Sequence, residues 1–143
     1  MEVAIAADHA GFQLKELIKN QLTSKGFTFK DFGTNSESSC DYPDYAHPLA
    51  KSVNDGVHQL GILICGSANG VAMTANKYSN IRAGICWNKE IVSLIRQHNN
   101  ANILCIPARF TSIKDALEMV DIFLNTDFEG GRHLKRINKI KPC

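Results

Sequence analysis

Short apolar runs recur along the chain at intervals that suit buried β-strands. They are VAIAA (3–7), FTFKDFG (27–33), LGILIC (60–65), RAGIC (82–86) and ANILCI (101–106). Four of these runs are largely apolar throughout, which is typical of strands covered on both faces. FTFKDFG instead alternates apolar and polar residues, which favours a strand exposed on one face, near an edge of the sheet. The pattern therefore predicts five strands.

The segments between these runs carry apolar residues at helical spacing. Helices are predicted over residues 11–26, after Pro43, from about Val71, over 88–98 and over 112–125, where a serine and an aspartate have the spacing of a capping box. The residues predicted to form the buried helix faces are Leu14, Leu17, Ile18 and Leu22; Tyr45, Ala46, Leu49, Ala50 and Val53; Ile91, Val92 and Ile95; Ile113, Ala116, Leu117, Val120, Phe123 and Leu124; and, near the C-terminus, Leu134, Ile137 and Ile140.

Alternation of strands and helices predicts a parallel sheet, because parallel neighbours must be joined by crossover connections. Such a sheet is covered by helices on both faces. The 143 residues contain no internal repeat, linker or low-complexity segment, and 44% of them are hydrophobic. We therefore expect one α/β domain over residues 1–143, with three α/β/α layers, a five-stranded parallel Rossmann-like sheet and a C-terminal helix.

Composition and charge exclude several classes of protein. A net charge of +2, with basic residues that are not interleaved with aromatic ones, argues against nucleic-acid binding. No apolar stretch approaches the roughly 18 residues of a membrane span. Five cysteines without CxxC or Cys/His spacing argue against a disulfide framework and a zinc site. Glu2 stands where a signal peptide would carry basic residues, so we expect a cytoplasmic protein with reduced thiols.

Polar and reactive residues follow the ends of the predicted strands. Parallel α/β sheets bind ligands beyond the carboxyl ends of their strands, so these residues are expected to converge on one edge. The strand ends are Asp8–His9–Ala10–Gly11, Gly33–Thr34, Cys65, Cys86–Trp87 and Pro107–Ala108–Arg109.

The stretch LICGSANG (63–70) leads from a buried strand into a thiol and a glycine-containing loop. Backbone N–H groups of such a loop, with the helix N-terminus behind it, can hold an anion, and the same positive end stabilises a thiolate at Cys65. The loop matches neither GxxxxGK[ST] nor GxGxxG. Each feature taken alone is equally explained by a tight turn and a buried core cysteine.

Histidines and arginines elsewhere indicate proton transfer and phosphate binding. His98 closes a helix just before the fifth strand, and we expect it near the edge that carries Cys65, where it could move protons near neutral pH. Arg132 and Arg136 lie one helical turn apart after a Gly-Gly pair. Their guanidinium groups can each donate two hydrogen bonds to a phosphate. A helix cap and a solvated basic face are the simpler alternatives for these residues.

The ordered motifs DHAGF, DFGT, DYPDYA, ILICG, ANK with IRAGIC, HNNAN and FEGGRH resemble those of the type B ribose-5-phosphate isomerases over essentially the whole chain. The wider family includes the galactose-6-phosphate isomerase subunits. The resemblance implies an aldose–ketose isomerase of the pentose phosphate pathway, which interconverts ribose 5-phosphate and ribulose 5-phosphate through a cis-enediolate without metal or cofactor. It also implies a homodimer or a dimer-based tetramer with active sites at the subunit interface, some of whose arginines serve the neighbouring chain.

The resemblance also implies roles for individual residues. Cys65 matches the catalytic base, and Val71 stands where some relatives instead carry a glutamate. The other residues and their implied roles are Ser67 in orienting the reacting groups; the backbone amides of Gly66, Ala68, Asn69 and Gly70 in holding the enediolate oxygen; Asp8, His9 and His98 in ring opening and proton transfer; Asn99 in binding substrate; and Arg109, Arg132 and Arg136, with His9, at the phosphate.

Two residues depart from the family pattern. Ala68 replaces a glycine of many relatives, and because alanine tolerates ordinary turn angles we expect the anion hole to remain intact. Pro107 replaces a glycine before Arg109, so the approach to that arginine could be shifted.

Two other functions remain open from the sequence. An isomerase for a six-carbon sugar phosphate, such as galactose 6-phosphate or allose 6-phosphate, would use the same chemistry with a different pocket depth. A non-catalytic module that binds a phosphometabolite or a nucleotide would keep the glycine loop and the arginines. Such a module would have no need of Cys65, Ser67, Asp8 and His98 together.

Overall fold

Five parallel strands form the centre of the computed structural model, which describes residues 1–142. The strands are β1 (Glu2–Ala7), β2 (Thr28–Asp31), β3 (Gly61–Cys65), β4 (Ala83–Ile85) and β5 (Ile103–Pro107), in the order β2-β1-β3-β5-β4. Every neighbouring pair is parallel. The predicted five-stranded parallel sheet is therefore confirmed.

Helices cover both faces of this sheet. They are α1 (Phe12–Ser24), α2 (Pro43–Asn54), α3 (Asn69–Ala75), α4 (Lys89–Gln97), α5 (Ile113–Asn125) and α6 (Arg132–Ile137), and a 3₁₀ turn spans Ala108–Phe110. Helices α1, α4 and α5 pack on one face, and α2 and α3 pack on the other. This arrangement confirms the three α/β/α layers. Within residues 1–142, no helix combines the length and the apolar character needed to cross a membrane.

The burial of each strand depends on its position in the sheet. Strands β3 and β5 are buried throughout and β1 is buried after its first residue, because both faces of these central strands are covered by helices. Strand β2 lies at one edge and alternates exposed and half-buried residues, as its sequence predicted. Strand β4 forms the other edge and is half-buried.

The buried face of α1 differs from the predicted one at two positions. Leu14, Ile18 and Leu22 are buried as expected, but Leu17 is 38% exposed. Lys15 is fully buried instead, with its Nζ 2.6 Å from Oδ2 of Asp31 at the end of β2. Since this ion pair compensates the buried charge, a lysine can occupy a position that the hydrophobic pattern alone would not assign to the core.

Two further helix faces also differ from expectation. At α5, Ser112 caps the helix by accepting a hydrogen bond from the Asp115 N–H, but Ile113 in the first turn is 56% exposed. At α6, Leu134 is half exposed, and the buried residue is His133. A short helix at the end of the chain has no sheet beneath it, so its apolar side chains remain on the surface of the protomer.

Gly11 allows α1 to begin against β3. A Cβ at this position would lie 2.7 Å from both the carbonyl oxygen and Cγ2 of Ile64, in the central strand. We expect Gly11→Ala to lower the free energy of unfolding by about 1–3 kcal/mol, because backbone of the core strand must shift. Urea unfolding of the variant measures this loss.

Gly56→Ala is the matched control for that experiment. Gly56, unlike Gly11, has a positive φ, of 76°, but nothing lies within 4 Å of its added Cβ, so only backbone strain of about 1 kcal/mol is expected. A loss at Gly11→Ala no larger than this would show that the close approach to Ile64 is not tight.

The topology places a crevice between β1 and β3. The chain moves from β1 to β2 on one side and then crosses to β3 on the other, so the strand order reverses between β1 and β3. In open α/β sheets, the carboxyl ends of the strands at such a switch point form the ligand-binding crevice. Asp8 follows β1 directly, and Cys65 is the last residue of β3.

Candidate active site

Cys65 lies at the bottom of a cleft at the carboxyl edge of the sheet. It is in register with Pro107 of β5, while Ala7 of β1 is in register with Ile64, so Asp8 and Arg109 emerge on either side of the thiol. The cleft has a volume of about 430 Å³ and is lined by Asp8, His9, Ala10, Tyr42, Cys65, Gly66, Ser67, Gly70, Arg109 and Phe110. The predicted convergence of strand ends is confirmed for Asp8, His9, Ala10, Cys65 and Arg109.

The environment of the Cys65 thiol pulls its pKa in two directions. Burial raises the pKa and the neighbouring Asp8 carboxylate adds to this, whereas the backbone N–H groups of Val71, Ala68 and Ser67 lower it. The net effect is a raised pKa. The loop therefore offers the thiolate the donors that the sequence predicted, but desolvation outweighs them and the free thiol keeps its proton at neutral pH.

Ala68 adopts a left-handed conformation rather than the ordinary turn angles predicted for it. Its φ is 64° and its ψ is −5°, and its side chain is fully buried. The loop has only three residues, 66–68, in which to leave β3 and begin α3, and this reversal is what brings its N–H groups to the Cys65 sulfur. A glycine at this position, as in many relatives, would adopt the same angles without strain.

Backbone hydrogen bonds orient the side chains of Asp8 and His9. Oδ1 of Asp8 accepts hydrogen bonds from the N–H groups of Ala10 (2.9 Å) and Gly11 (3.2 Å). The backbone N–H of Cys40 donates to Nδ1 of His9 at 3.2 Å. Because an N–H can only donate, Nδ1 carries the lone pair, and the neutral ring holds its proton on Nε2. His9 lines the cleft, and Nε2 is the donor of its neutral ring.

Two glycines of the loop allow larger side chains to approach it closely. The Arg109 N–H donates to the Gly66 carbonyl, and the Arg109 side chain packs over Gly66, where a Cβ would lie 3.3 Å from its Cδ, Nε and Cζ. The Tyr42 ring lies against Gly70 in the same way and would overlap an added Cβ. Pro107 ends β5, and the 3₁₀ turn after it still directs Arg109 to the cleft.

His98 does not lie at the edge that carries Cys65, so that prediction was wrong. Helix α4 starts beyond the carboxyl end of β4 and runs antiparallel to the strands, which leaves His98 near the amino end of β5. There it lines a second cavity of about 380 Å³, together with Asn99, Arg132, His133, Arg136, Ile137 and Ile140. Four predicted site residues therefore form a group apart from the cleft.

Two predicted residues of the glycine loop, Asn69 and Ala68, do not line the cleft. The side chain of Asn69 lines a neighbouring groove with Met73 and Ile85, and its N–H lies 3.4 Å from Oγ of Ser67. Ala68 is buried beneath the loop. Neither residue lines the cleft with its side chain, so the roles predicted for both stay with their backbone amides.

Four aromatic or charged side chains in or beside the two cavities belong to residues that were not predicted as site residues. Tyr42 and the 75%-exposed Phe110 line the cleft. His133 stacks on His98, with ring centroids 4.2 Å apart, and its Nε2 lies 3.5 Å from Oε2 of Glu129. Tyr42 precedes Pro43 in DYPDYA, a motif that indicated the start of a helix and the family resemblance but no site residue. The FEGGRH motif contains both Glu129 and His133, but nothing in its spacing indicates contact with His98.

The chain matches one protein family over almost its whole length. Residues 3–140 match the Ribose/Galactose Isomerase family. A Mycoplasma genitalium protein named probable ribose-5-phosphate isomerase B is 43% identical over 140 residues, which cover 96% of this chain and 92% of that protein.

Solved structures are similar to the same extent. A ribose 5-phosphate isomerase from Thermotoga maritima has 48% sequence identity and a TM-score of 0.95, over 97% of this chain and 96% of that one. Ribose-5-phosphate isomerase B from Mycoplasma genitalium with bound ribulose-5-phosphate has 42% identity and a TM-score of 0.93, over 97% and 93% of the two chains. Together these matches show that the chain belongs to the ribose/galactose isomerase family and is an isomerase.

Proposed function

We propose that this isomerase interconverts D-ribose 5-phosphate and D-ribulose 5-phosphate through a cis-enediolate, with Cys65 as the base. The observation that carries the proposal is the position of Cys65. A rigid central strand presents its thiol at the switch point of the sheet, and the loop and first turn of α3 that follow direct three N–H groups at the sulfur. The ribulose-5-phosphate bound in the Mycoplasma genitalium relative supports the choice of a pentose phosphate.

The chemistry begins with removal of the proton on C2 of the open-chain aldose by the Cys65 thiolate. The electron pair of that C–H bond forms the C1–C2 double bond of the enediolate, and O1 takes up the negative charge. Return of the proton from sulfur to C1, with transfer of the hydroxyl proton from O2 to O1, gives the ketose. Ser67 and the amides of residues 66–70 stabilise the enediolate oxygen, because fixed donors in a buried site need no reorganisation.

The remaining cleft residues prepare the sugar for this step. In the proposed mechanism Asp8 and His9 help to open the furanose ring, and the Nε2–H of His9 is available as a donor. Arg109, held over Gly66, approaches the phosphate from the same side. We assign His98 to ring opening, Asn99 to substrate binding, and Arg132 and Arg136 to the phosphate, although all four belong to the second cavity.

Two chains are needed to bring the cleft residues and the second-cavity residues together. Cys65 lies at the carboxyl edge of the sheet and His98 at the amino edge, so the proposed site takes one group from each of two protomers. Leu134 on α6 is 50% exposed, and Ile140, three residues after that helix, is 59% exposed. Such exposed apolar side chains fit a subunit interface. We therefore propose a homodimer, or a tetramer built from such dimers, acting in the cytoplasmic pentose phosphate pathway.

Turnover of candidate sugar phosphates by the chelator-treated protein tests the proposed function. We expect ribulose 5-phosphate to form from ribose 5-phosphate without added metal, with a kcat/KM above those for allose 6-phosphate and galactose 6-phosphate. Preference for a hexose phosphate would keep the chemistry and contradict the substrate. Absence of turnover on all three would favour a binding module.

The raised pKa of Cys65 predicts how activity depends on pH. Because only the thiolate can accept the C2 proton, kcat/KM should rise by about tenfold per pH unit at pH values below that pKa. The substrate phosphate, with a pKa of about 6, contributes nothing to a rise above pH 7. A kcat/KM that is already constant from pH 7 upward would contradict a raised thiol pKa.

Asp8→Asn is the matched variant for the pH profile. It removes the charge that helps to raise the Cys65 pKa but keeps an Oδ1 to accept the Ala10 and Gly11 N–H groups. The inflection of the profile should therefore move to lower pH, whatever happens to the maximal rate. An unchanged inflection would show that the carboxylate does not act on the thiol.

A further inference from the structure

A third cavity lies at the amino edge of the sheet and contains none of the predicted site residues. It has a volume of about 510 Å³, and its lining includes the residues directly before four of the strands: Met1, Leu60, Arg82 and Asn102. We propose that this third cavity binds a phosphate monoester with a small apolar body, through the guanidinium groups of Arg82 and Arg96. The proposal does not depend on the isomerase mechanism, because the third cavity shares no lining residue with the cleft or the second cavity.

Acceptors after α4 and α5 hold one edge of each guanidinium group. The Arg82 Nε–H donates to the carbonyls of Asn99 and Asn100, both at 3.0 Å. The Arg96 Nε–H donates to the carbonyl of Thr126 at 3.1 Å, and its Nη1 donates to Oδ1 of Asn100 at 3.0 Å. Because both side chains are already held in place, a ligand would lose little of its binding free energy in ordering them.

The other donors of the two guanidinium groups are available to a ligand. Both Nη groups of Arg82 and the Nη2 group of Arg96 have no hydrogen-bond acceptor among residues 1–142. None of these nitrogens is fully buried, so each can be reached from solvent. A phosphate accepts hydrogen bonds well from two such groups at once, because its terminal oxygens match the forked geometry of a guanidinium.

The lining of the third cavity carries a net positive charge. Burial lowers the pKa of both guanidinium groups, and at Arg96 the Asp127 carboxylate opposes this effect while the Arg82 charge adds to it. Both arginines still keep their protons at neutral pH. Asp127 is the only acidic residue that lines the cavity within residues 1–142, so it balances one of the two positive charges. A phosphate dianion would supply the negative charge that the lining lacks.

Apolar side chains line another part of the third cavity, and they are Met1, Val53, Leu60 and Leu124. The cavity is within the range of about 300–1,000 Å³ that is typical of small-molecule sites, and a phosphate group alone would fill only a small part of it. An apolar body joined to the phosphate would displace water from these side chains, and this burial favours binding. The lining therefore favours a phosphate monoester over inorganic phosphate.

Titration of the full chain with phenyl phosphate tests the site, with the side-chain Nε–H signals of Arg82 and Arg96 followed by NMR. We expect both signals to shift and to saturate together. Inorganic phosphate should bind more weakly because it lacks the apolar body, and benzoate should bind more weakly because it has one charge and two oxygens. Failure of the two signals to saturate with phenyl phosphate would overturn the proposal, and equal affinity for benzoate would contradict a phosphate site.

Lysine at either arginine position tests the forked donors. Arg82→Lys and Arg96→Lys assign the two NMR signals by their loss, and each should weaken the binding of phenyl phosphate by about tenfold. Lysine keeps the positive charge but cannot donate two parallel hydrogen bonds to one phosphate. Binding as tight as in the wild type in both variants would overturn the assignment.

Two exposed residues of the lining test its charge without a change in the core. Asp127→Asn should tighten the binding of phenyl phosphate by roughly two- to fivefold, and Gln59→Glu should weaken it by a similar factor. Glu118→Gln, at an exposed position of α5 outside the cavity, is the matched control and should bind like the wild type. Affinities that do not change in opposite directions in Asp127→Asn and Gln59→Glu would contradict binding in the third cavity.

The isomerase site is also proposed to bind a phosphate, so a further variant distinguishes the two sites. A chain with both Arg109→Ala and Arg136→Ala lacks two of the phosphate contacts proposed for the isomerase. The dissociation constant of phenyl phosphate measured at the Arg82 and Arg96 signals should be the same in this chain as in the wild type. Loss of their response would place the probe at the isomerase site and overturn the proposal, whatever the substrate of the isomerase is.

Discussion

Replacing Cys65 with alanine is expected to lower kcat by about 10²–10⁴-fold, because the variant loses the only group proposed to take the C2 proton. KM should change little, since the thiol at the bottom of the cleft is not proposed to bind the phosphate or the hydroxyl groups. The free energy of unfolding should fall by only about 1 kcal/mol, because alanine also fits the buried end of β3. Steady-state kinetics with ribose 5-phosphate, together with urea unfolding, measure both effects.

Cys105→Ala is the matched control for Cys65→Ala. Like Cys65, Cys105 is a buried thiol in a central strand, and its side chain belongs to the same apolar cluster. It does not line the cleft, so its replacement should cost similar stability and leave kcat nearly unchanged. Normal turnover by Cys65→Ala, or an equal loss in both variants, would contradict the assignment of Cys65 as the base.

Mixing two inactive variants is expected to restore activity. In a heterodimer of Cys65→Ala and His98→Asn chains, both defects fall in one of the two interface sites and the other site is intact. Random assembly at equal amounts makes about half of the dimers mixed, so the preparation should regain about a quarter of wild-type kcat per chain. The heterodimer itself, co-expressed with two different tags and purified on both, should show about half of wild-type kcat per chain in a kinetic assay.

The control mixes two variants whose defects lie in the same cleft. Cys65→Ala and Asp8→Asn both alter the group at the carboxyl edge, so every site of their heterodimer keeps one defect and activity should stay at the level of the parents. If activity is restored in this control, or is not restored when Cys65→Ala is mixed with His98→Asn, Cys65 and His98 do not combine in one site across two chains. The same experiment with Arg136→Ala in place of His98→Asn should give the same result.

Local sequence determined most of the fold. Five apolar runs became the five strands, and helix faces such as Ala46, Leu49, Ala50 and Val53 on α2 are buried as their spacing predicted. This worked because strands covered on both faces and helices packed on one face leave periodic signals in adjacent residues. The burial of Lys15 and the exposure of Leu17 were not predicted, because the burial of Lys15 depends on Asp31, which lies on another element.

The sequence also identified the cleft around Cys65 without coordinates. Residues at the carboxyl ends of parallel strands must meet at one edge, so Asp8, Cys65 and Arg109 could be placed at that edge from the prediction of a parallel sheet alone. The left-handed angles of Ala68 could not be foreseen, because alanine rarely adopts them and only the direction of α3 requires them.

Only the tertiary structure decided where His98 and its neighbours lie. The direction of α4 leaves His98 with Arg132 and Arg136 at the amino edge of the sheet, away from the thiol to which the sequence had assigned it. The stacking of His133 on His98 beside Glu129 likewise depends on the ends of two helices that are about thirty residues apart in the chain. Sequence patterns describe residues that share one element, whereas the relative positions of two elements depend on the packing of the whole domain.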